Sequence, residues 1–235
     1  MGKRLFDVAS SLLALVVLSP LFAAIGFAVM IDDGRPVFYC PTRVGRGGKP
    51  FRLFKFRTMK NRSNGGPVIT GANDDRVTAT GRVLRATKAD ELPQLLNVLL
   101  GDMSVVGPRP EDPTIVHDFY TEEDMETLTV RPGLASPGSL YNYVEGESLL
   151  QGEHVEQSYR DIVLPEKLRL ELDYVRNASA RLDSVVILKT VRLVSTRCLS
   201  AVSGFRCYGR TRSYQPSTRG VQPLSTAVPD TFGGR

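Results

Sequence analysis

Residues 8–31, VASSLLALVVLSPLFAAIGFAVMI, contain no charged side chain, the longest such apolar run in the chain. As one helix these twenty-four residues would extend about 36 Å, enough to cross a hydrocarbon core. Ser19-Pro20 falls near the middle, and proline removes a helix hydrogen bond and crowds the preceding turn. Both flanks are basic. Lys3 and Arg4 precede the run, and Arg43, Arg46, Lys49, Arg52, Lys55, Arg57, Lys60 and Arg62 follow it with no acid among residues 43–62. Basic flanks favour the cytoplasmic side of a membrane, so a straight span would have to export one of them. A helix that enters, breaks at Ser19-Pro20 and returns keeps both inside. Each half then has about 11 residues, some 16 Å of helix, which suits one leaflet. The pattern predicts a re-entrant membrane helix over residues 1–33, with a straight span as the second reading. A cleaved signal peptide fits less well, because Asp7 opens the run and Ile31-Asp32-Asp33 makes a poor cleavage site.

Beyond the run the periodicity shortens. Val37-Phe38-Tyr39 and Phe51 to Arg57 read as strands, with Gly45, Gly47 and Gly48 in the turn between them. Residues 61–80 are polar and turn-rich and predict a surface loop. From Thr87 the pattern is helical, with Leu92, Leu95, Leu96, Leu99 and Leu100 on one face and a stop at Gly101. Ser104 to Val106 reads as a short strand, residues 114–128 as an acidic helix, and residues 134–160 as irregular. Residues 165–176 predict a helix with Leu168, Leu172 and Val175 inward. A further apolar and basic helix, Leu182 to about Leu199, suits packing on the body or lying on a membrane surface. From residue 201 Gly, Ser, Thr, Pro and Arg dominate, which predicts a flexible tail over 201–235. The expectation is an α+β protein, mostly helical with short strands, in which residues 34–200 form the soluble body.

Composition narrows the function. The 235 residues carry 30 Lys and Arg against 25 Asp and Glu, a modest net +5, so the distribution of charge matters more than its sum. Three scattered cysteines (Cys40, Cys198, Cys207) and two histidines make neither a disulfide framework nor a zinc centre, and fit a reducing compartment. The basic run after the apolar segment reads either as a solvated face or as a lipid-facing one. Beside anionic lipid each such residue adds about 1 kcal/mol of attraction, and the same field draws in a phosphate-bearing substrate. No nucleic-acid-binding module accompanies the charge, so nucleic acid is not expected as a partner.

Two places carry candidate chemistry. Asp90 and Glu91 lie near the start of the helix expected from Thr87. Thr87 as N-cap with Asp90 as capping-box partner accounts for acids there without any chemistry. Adjacent carboxylates among Arg82, Arg85 and Lys88 equally suit magnesium and a diphosphate, and Pro93 argues for a helix that starts later or is deformed. Downstream, Gly107-Pro108-Arg109-Pro110 forms a rigid loop that holds the Arg109 guanidinium for two-pronged phosphate binding. Arg109 equally suits an ion pair with Glu111 or Asp90. Tyr141, Asn142 and Tyr143 suit either a loop that faces a ligand or an ordinary surface loop.

The ordered motifs resemble one family over Lys3 to Arg192. They are Lys3-Arg4-Leu5-Phe6-Asp7, Ser19-Pro20, Arg43-Val44-Gly45, Phe54-Lys55-Phe56-Arg57-Thr58-Met59, Gly81-Arg82 with Leu84-Arg85, Asp90-Glu91-Leu92-Pro93-Gln94, Asn97-Val98-Leu99, Gly101-Asp102-Met103-Ser104 and Gly107-Pro108-Arg109-Pro110. In this order the chain is similar to the bacterial sugar transferases that act as monotopic polyprenyl-phosphate phosphoglycosyl transferases, in their small form. The resemblance implies transfer of a sugar 1-phosphate from a nucleoside diphosphate sugar, expected to be a UDP-sugar, to a polyprenyl phosphate, which initiates a surface or secreted glycan. It implies Mg2+, Asp90 as a nucleophile forming a covalent phosphosugar, and Glu91 as metal ligand or proton handler, with both acids near the metal. Arg109, Arg85, Lys88 and Arg131 become phosphate- or substrate-binding candidates. It further implies the inner membrane of a bacterium, a catalytic domain on the cytoplasmic face, contact with anionic phospholipid, and a homodimer. A catalytically inactive, membrane-bound adaptor is the alternative. Ala89 and Lys88 depart from the usual residues before the acidic pair. Leu134 to Leu140 also departs, which leaves the sugar unassigned.

Overall fold

The computed structural model describes residues 2–60, 74–149 and 155–202. Most of the expected surface loop and, from residue 203, the expected tail lie outside the described residues.

The apolar run forms two helices, α1 (Gly2–Val17) and α2 (Ser19–Asp33), bent by 62° at Leu18. Pro20 sits in the first turn of α2, where its missing N–H leaves no bond unmade. Ser19 Oγ donates back to the Val16 carbonyl at 2.8 Å. Among the described residues no single helix is long and apolar enough to cross a membrane, whereas the bent pair passes that test together. The polarity of α1 is inverted relative to a soluble helix: Asp7 and Ser11 are buried, while Leu12, Leu13, Val16 and Val17 are exposed. Both ends of the pair dock on the same body. Near its start Asp7 accepts hydrogen bonds from Ser104 Oγ and the Val105 N–H. At its end Arg57 Nη2 donates to the Asp33 and Gly34 carbonyls at 2.7 and 2.8 Å, and Asp32 accepts the Thr80 N–H at 2.7 Å.

Short antiparallel pairs follow: β1 (Phe38–Tyr39) with β4 (Lys55–Phe56), and β2 (Thr42–Val44) with β3 (Pro50–Arg52). The expected glycine turn joins β2 to β3, with Gly47 and Gly48 at φ 69° and 74°, where a side chain would be strained. The single strand expected over 51–57 is divided at Leu53-Phe54. There the buried Asn97 intervenes, accepting from Phe54 N at 2.9 Å and donating to the Arg52 carbonyl at 2.7 Å.

The helix expected from Thr87 is corrected. Thr87 instead ends α3 (Ala79–Thr87), which Thr78 caps by accepting the Gly81 N–H, and the Thr87 hydroxyl bonds back to Val83. Lys88 adopts the left-handed conformation (φ 58°) and stops α3. Ala89–Glu91 form a tight 3-10 turn, and α4 (Gln94–Leu100) begins after Pro93, so the Thr87–Asp90 capping box does not form. Then come β5 (Ser104–Val106), as expected, and α5 (Pro113–Phe119) with a separate 3-10 helix at Asp124–Thr129. The acidic helix is thus broken, because Asp124 accepts from the Thr121 N–H and hydroxyl and turns the chain. β6 (Gly133–Ala135) pairs parallel with β5.

The region expected to be irregular is largely helical: α6 (Pro137–Tyr141), a π-helical turn (Asn142–Gly146), single turns α7 (Glu147–Leu149) and α8 (Val155–Ser158), and a second π turn (Tyr159–Val163). Ser136-Pro137 supplies the start signal, with Ser136 Oγ accepting the Ser139 N–H at 2.9 Å. The expected C-terminal helices are α9 (Leu164–Arg176) and α10 (Ala180–Val202). Ile25 and Val29 of α2 pack with Phe56 and Leu84, so α2 shares its core with the body.

Candidate active site

Asp90 and Glu91 occupy the turn between α3 and α4. The left-handed Lys88 ends one helix and Pro93 delays the next, which leaves two acids on a tight bend. Their surroundings separate them. Glu91 accepts both prongs of Arg109, Nη1 on Oε2 at 2.7 Å and Nη2 on Oε1 at 2.5 Å, and Lys55 Nζ reaches Oε1 at 3.1 Å. Tyr143 hydroxyl lies 3.4 Å from both oxygens. Burial alone would raise the Glu91 pKa, but Arg109 and Lys55 outweigh it and hold the carboxyl well below the usual range. Asp90 is buried with Oδ1 unpaired among the described residues. Burial raises its pKa, against the pull of Lys55 and with the repulsion of Glu91 added. One acid is therefore firmly ionised and neutralised in place, while the other carries an uncompensated carboxylate oxygen. Divergent environments of this kind allow neighbouring acids to take different roles.

The cations are layered around the pair. Burial lowers the Lys55 pKa, with partial compensation from Glu91. Arg85 donates Nε to Thr58 Oγ1 at 2.9 Å. Its charge, with that of Lys88, acts on Asp90. Lys88 Nζ stands 3.9 Å from the centre of the Tyr143 ring, and Arg197 of α10 donates to the Tyr143 carbonyl at 2.5 Å. Arg131 is placed elsewhere: its Nε donates to the Gly101 carbonyl at 2.8 Å, at the other end of α4 from the acids. The structure thus gathers Asp90, Glu91, Arg109, Arg85 and Lys88 in one site and leaves Arg131 apart from it. Of the pairings considered for Arg109, neither Glu111 nor Asp90 is its hydrogen-bonded partner; Glu91 is.

Sequence reasoning passed over three contributors. Lys55, between Phe54 and Phe56, is a half-buried cation paired with Glu91, and a lone lysine between two aromatic residues is the available signal. Gln94, the first residue of α4 and four positions after Asp90, is fully buried with neither amide atom paired among the described residues. The third is a buried cluster on α9, where Glu171 Oε1 accepts the Arg109 N–H at 3.1 Å and Lys167 pairs with Glu111. Lys167 and Glu171, one turn apart, thereby hold both ends of the Arg109-Pro110-Glu111 segment. The glycines on either side are required by close approach. A Cβ on Gly107 would lie 2.4 Å from the Arg131 carbonyl oxygen, and one on Gly133 would lie 2.1 Å from Gly107 N.

Burial pushes the Glu171 pKa up to about 7 from 4.5. Between those values the folded protein keeps a proton that the unfolded chain has released. This contribution to stability is full below pH 4.5 and lost as pH rises through 7, by about 3 kcal/mol. Lys167, lowered by burial to about 7, adds stability as pH rises above 7. Urea melts at pH 5 and pH 7.5 will show Glu171→Gln gaining on the wild type as pH rises. An unchanged difference would contradict the assignment.

The model of the bacterial sugar transferase family matches residues 1–197. The chain belongs to the bacterial sugar transferase family. This sugar transferase is 35% identical over 193 residues to the UDP-glucose:undecaprenyl-phosphate glucose-1-phosphate transferase of Caulobacter vibrioides, covering 80% of this chain and 68% of that protein. It is 33% identical over 197 residues to the UDP-N-acetylgalactosamine-undecaprenyl-phosphate N-acetylgalactosaminephosphotransferase of Aeromonas hydrophila, 83% of this chain but 44% of that longer protein. It is 36% identical over 221 residues to the exopolysaccharide production protein ExoY of Rhizobium meliloti, with 85% and 87% covered. The family expected from the ordered motifs is the family found, and the chain is a transferase.

Among the described residues no group of three or more acidic, histidine or cysteine side chains forms a ready-made metal cage. The sugar transferase site offers instead two adjacent carboxylates, with the unpaired Asp90 oxygen as the available donor. That set fits magnesium, which commonly takes one or two carboxylates and completes its shell with water and substrate phosphates.

Proposed function

We propose that the protein transfers a sugar 1-phosphate from a UDP-sugar to polyprenyl phosphate, the initiating step of a glycan. The names of the relatives support the substrate classes. The observation that carries the reading is the buried Asp90 carboxylate with one unpaired oxygen, beside a Glu91 whose charge is already taken up by Arg109 and Lys55. In the first half-reaction an Asp90 oxygen attacks the phosphorus bonded to the sugar. A carboxylate–phosphorus bond forms, the bridging phosphorus–oxygen bond breaks, and UMP leaves with the electron pair. In the second, an oxygen of polyprenyl phosphate attacks the same phosphorus, yielding the polyprenyl diphosphate sugar and regenerating the carboxylate. Asp90 and Glu91 would hold magnesium, which when bound neutralises phosphate oxygens. Arg85, Lys88 and the Arg109 fork supply further positive charge to the diphosphate, and the Glu91 pairing keeps Arg109 aimed before substrate arrives.

The same proposal makes the protein monotopic, on the cytoplasmic face of a bacterial inner membrane and held partly by anionic lipid. Three observations support it: the 62° bend, the inverted polarity of α1, and the docking of Asp7 and of Asp32 to Gly34 on one body. Two ends bonded to one soluble body belong on one side of a bilayer.

The test is UMP release from a panel of UDP-sugars in nanodiscs containing undecaprenyl phosphate and magnesium. Turnover is expected with at least one sugar. A folded, inserted protein that releases UMP from none would favour the adaptor.

A further inference from the structure

The first two turns of α1 do more than carry charge. Arg4 Nη1 and Nη2 donate to the Val98 and Leu99 carbonyls at 2.6 and 2.8 Å. Both lie in the last turn of α4, at the negative end of its dipole; the Val98 carbonyl also accepts the Gly101 N–H at 3.2 Å. Asp7 is buried and accepts Val105 N at 3.0 Å and Ser104 Oγ at 3.0 and 2.9 Å. Lys3 Nζ reaches Asp183 at 2.5 Å and the Tyr174 hydroxyl at 3.1 Å. A topology signal needs only positive charge near the headgroups. It requires neither a buried acid nor a guanidinium committed to two backbone carbonyls.

The placement of Arg4 ties the membrane helix to the chemistry. α4 has seven residues, about 10 Å of helix. Arg4 grips its C-terminal end and the Asp90–Glu91 turn precedes its N-terminal end. Asp7 fixes the same helix α1 to β5, the strand directly after α4. The angle at which α1 enters the lipid is therefore set by the body, through bonds to the far end of the short helix that follows the Asp90–Glu91 turn and to the next strand.

We infer that Arg4 and Asp7 are positioning residues that set the height of Asp90 over the lipid phosphate and so govern the second half-reaction alone. This rests on the two-step reaction proposed above. A UDP-sugar arrives from water and adjusts itself to the site. The phosphate of a membrane-embedded polyprenol is confined to the headgroup plane, so any error in the height of Asp90 falls on that step. A misplacement of about 1 Å can cost on the order of 100-fold in rate.

The test separates the steps in full-length protein in nanodiscs of phosphatidylethanolamine and phosphatidylglycerol. Without acceptor, Arg4→Met and Asp7→Asn should give a UMP burst within about twofold of wild type. On adding undecaprenyl phosphate, resolution of the phosphosugar adduct should slow at least about 10-fold. In detergent, with water-dispersed farnesyl phosphate as acceptor, the defect should shrink to about twofold, because a short acceptor is not held at one depth. Arg4→Lys, which retains a cation for the α4 carbonyls, should restore most of the rate. Burst and resolution slowed equally, or an equal defect with farnesyl phosphate, would overturn the inference. So would labelling that finds the N-terminus of Arg4→Met across the membrane, since Arg4 would then act as a topological charge. No burst from the wild type would sink the proposed reaction itself, and this inference with it.

Discussion

Asp90→Asn is expected to lower turnover by on the order of 10⁴-fold and to leave no phosphosugar adduct. The amide keeps the shape of the side chain and does not touch the Glu91–Arg109 pair, so the loss falls on the nucleophile. Stability should move the other way. Burial raises the Asp90 pKa, which means that the folded protein disfavours its charged form. Removing that charge should therefore raise the melting temperature at neutral pH, a trade of stability for activity found at functional sites. Steady-state UMP release and thermal melts in one detergent preparation measure both effects. Undiminished turnover would eliminate Asp90 as the nucleophile, and parallel loss of stability and activity would make it a structural acid.

Arg109→Met is expected to destabilise the fold by about 3 kcal/mol as well as to abolish activity. The substitution leaves the largely buried Glu91 with Lys55 at 3.1 Å and the Tyr143 hydroxyl at 3.4 Å, and an incompletely paired charge of this kind is costly. Glu91→Gln combined with Arg109→Met should recover most of the stability and none of the activity, since the stranded charge is gone but so are the Arg109 cation and the Glu91 carboxylate. Arg109→Lys should not rescue, because one ammonium cannot reproduce a two-pronged pair. Urea unfolding of the three variants, beside UMP release, provides the comparison. A single variant as stable as wild type would mean that the pair contributes nothing to the fold.

The parts of this site differ in how far they could be read from the chain. The break at Ser19-Pro20 was legible because the consequence of proline is local. Arg109 was legible as a fixed cation because two prolines enclose it. The start of α4 was not, since Thr87 and Asp90 satisfy a capping pattern that competes with the unusual left-handed Lys88, a residue with no glycine-like signature. Lys55 and Tyr143 reach Glu91 from 36 and 52 positions away, and Glu171 reaches Arg109 from 62. Nothing in local pattern specifies such meetings. The Ser136-Pro137 helix start was present in the sequence, but the glycines and polar residues around it read as loop.

By itself, the sequence determined the apolar segment with its break, the basic run after it, the acidic pair and the family. These follow from proline geometry, charge distribution and ordered motifs, each readable over a few residues. The tertiary structure alone decided which acid is neutralised and which is left with an unpaired oxygen, and that the basic start of α1 is bonded to the helix that follows the Asp90–Glu91 turn. Those outcomes depend on long-range packing, because burial and the partners that arrive from distant segments set the energy of a charge.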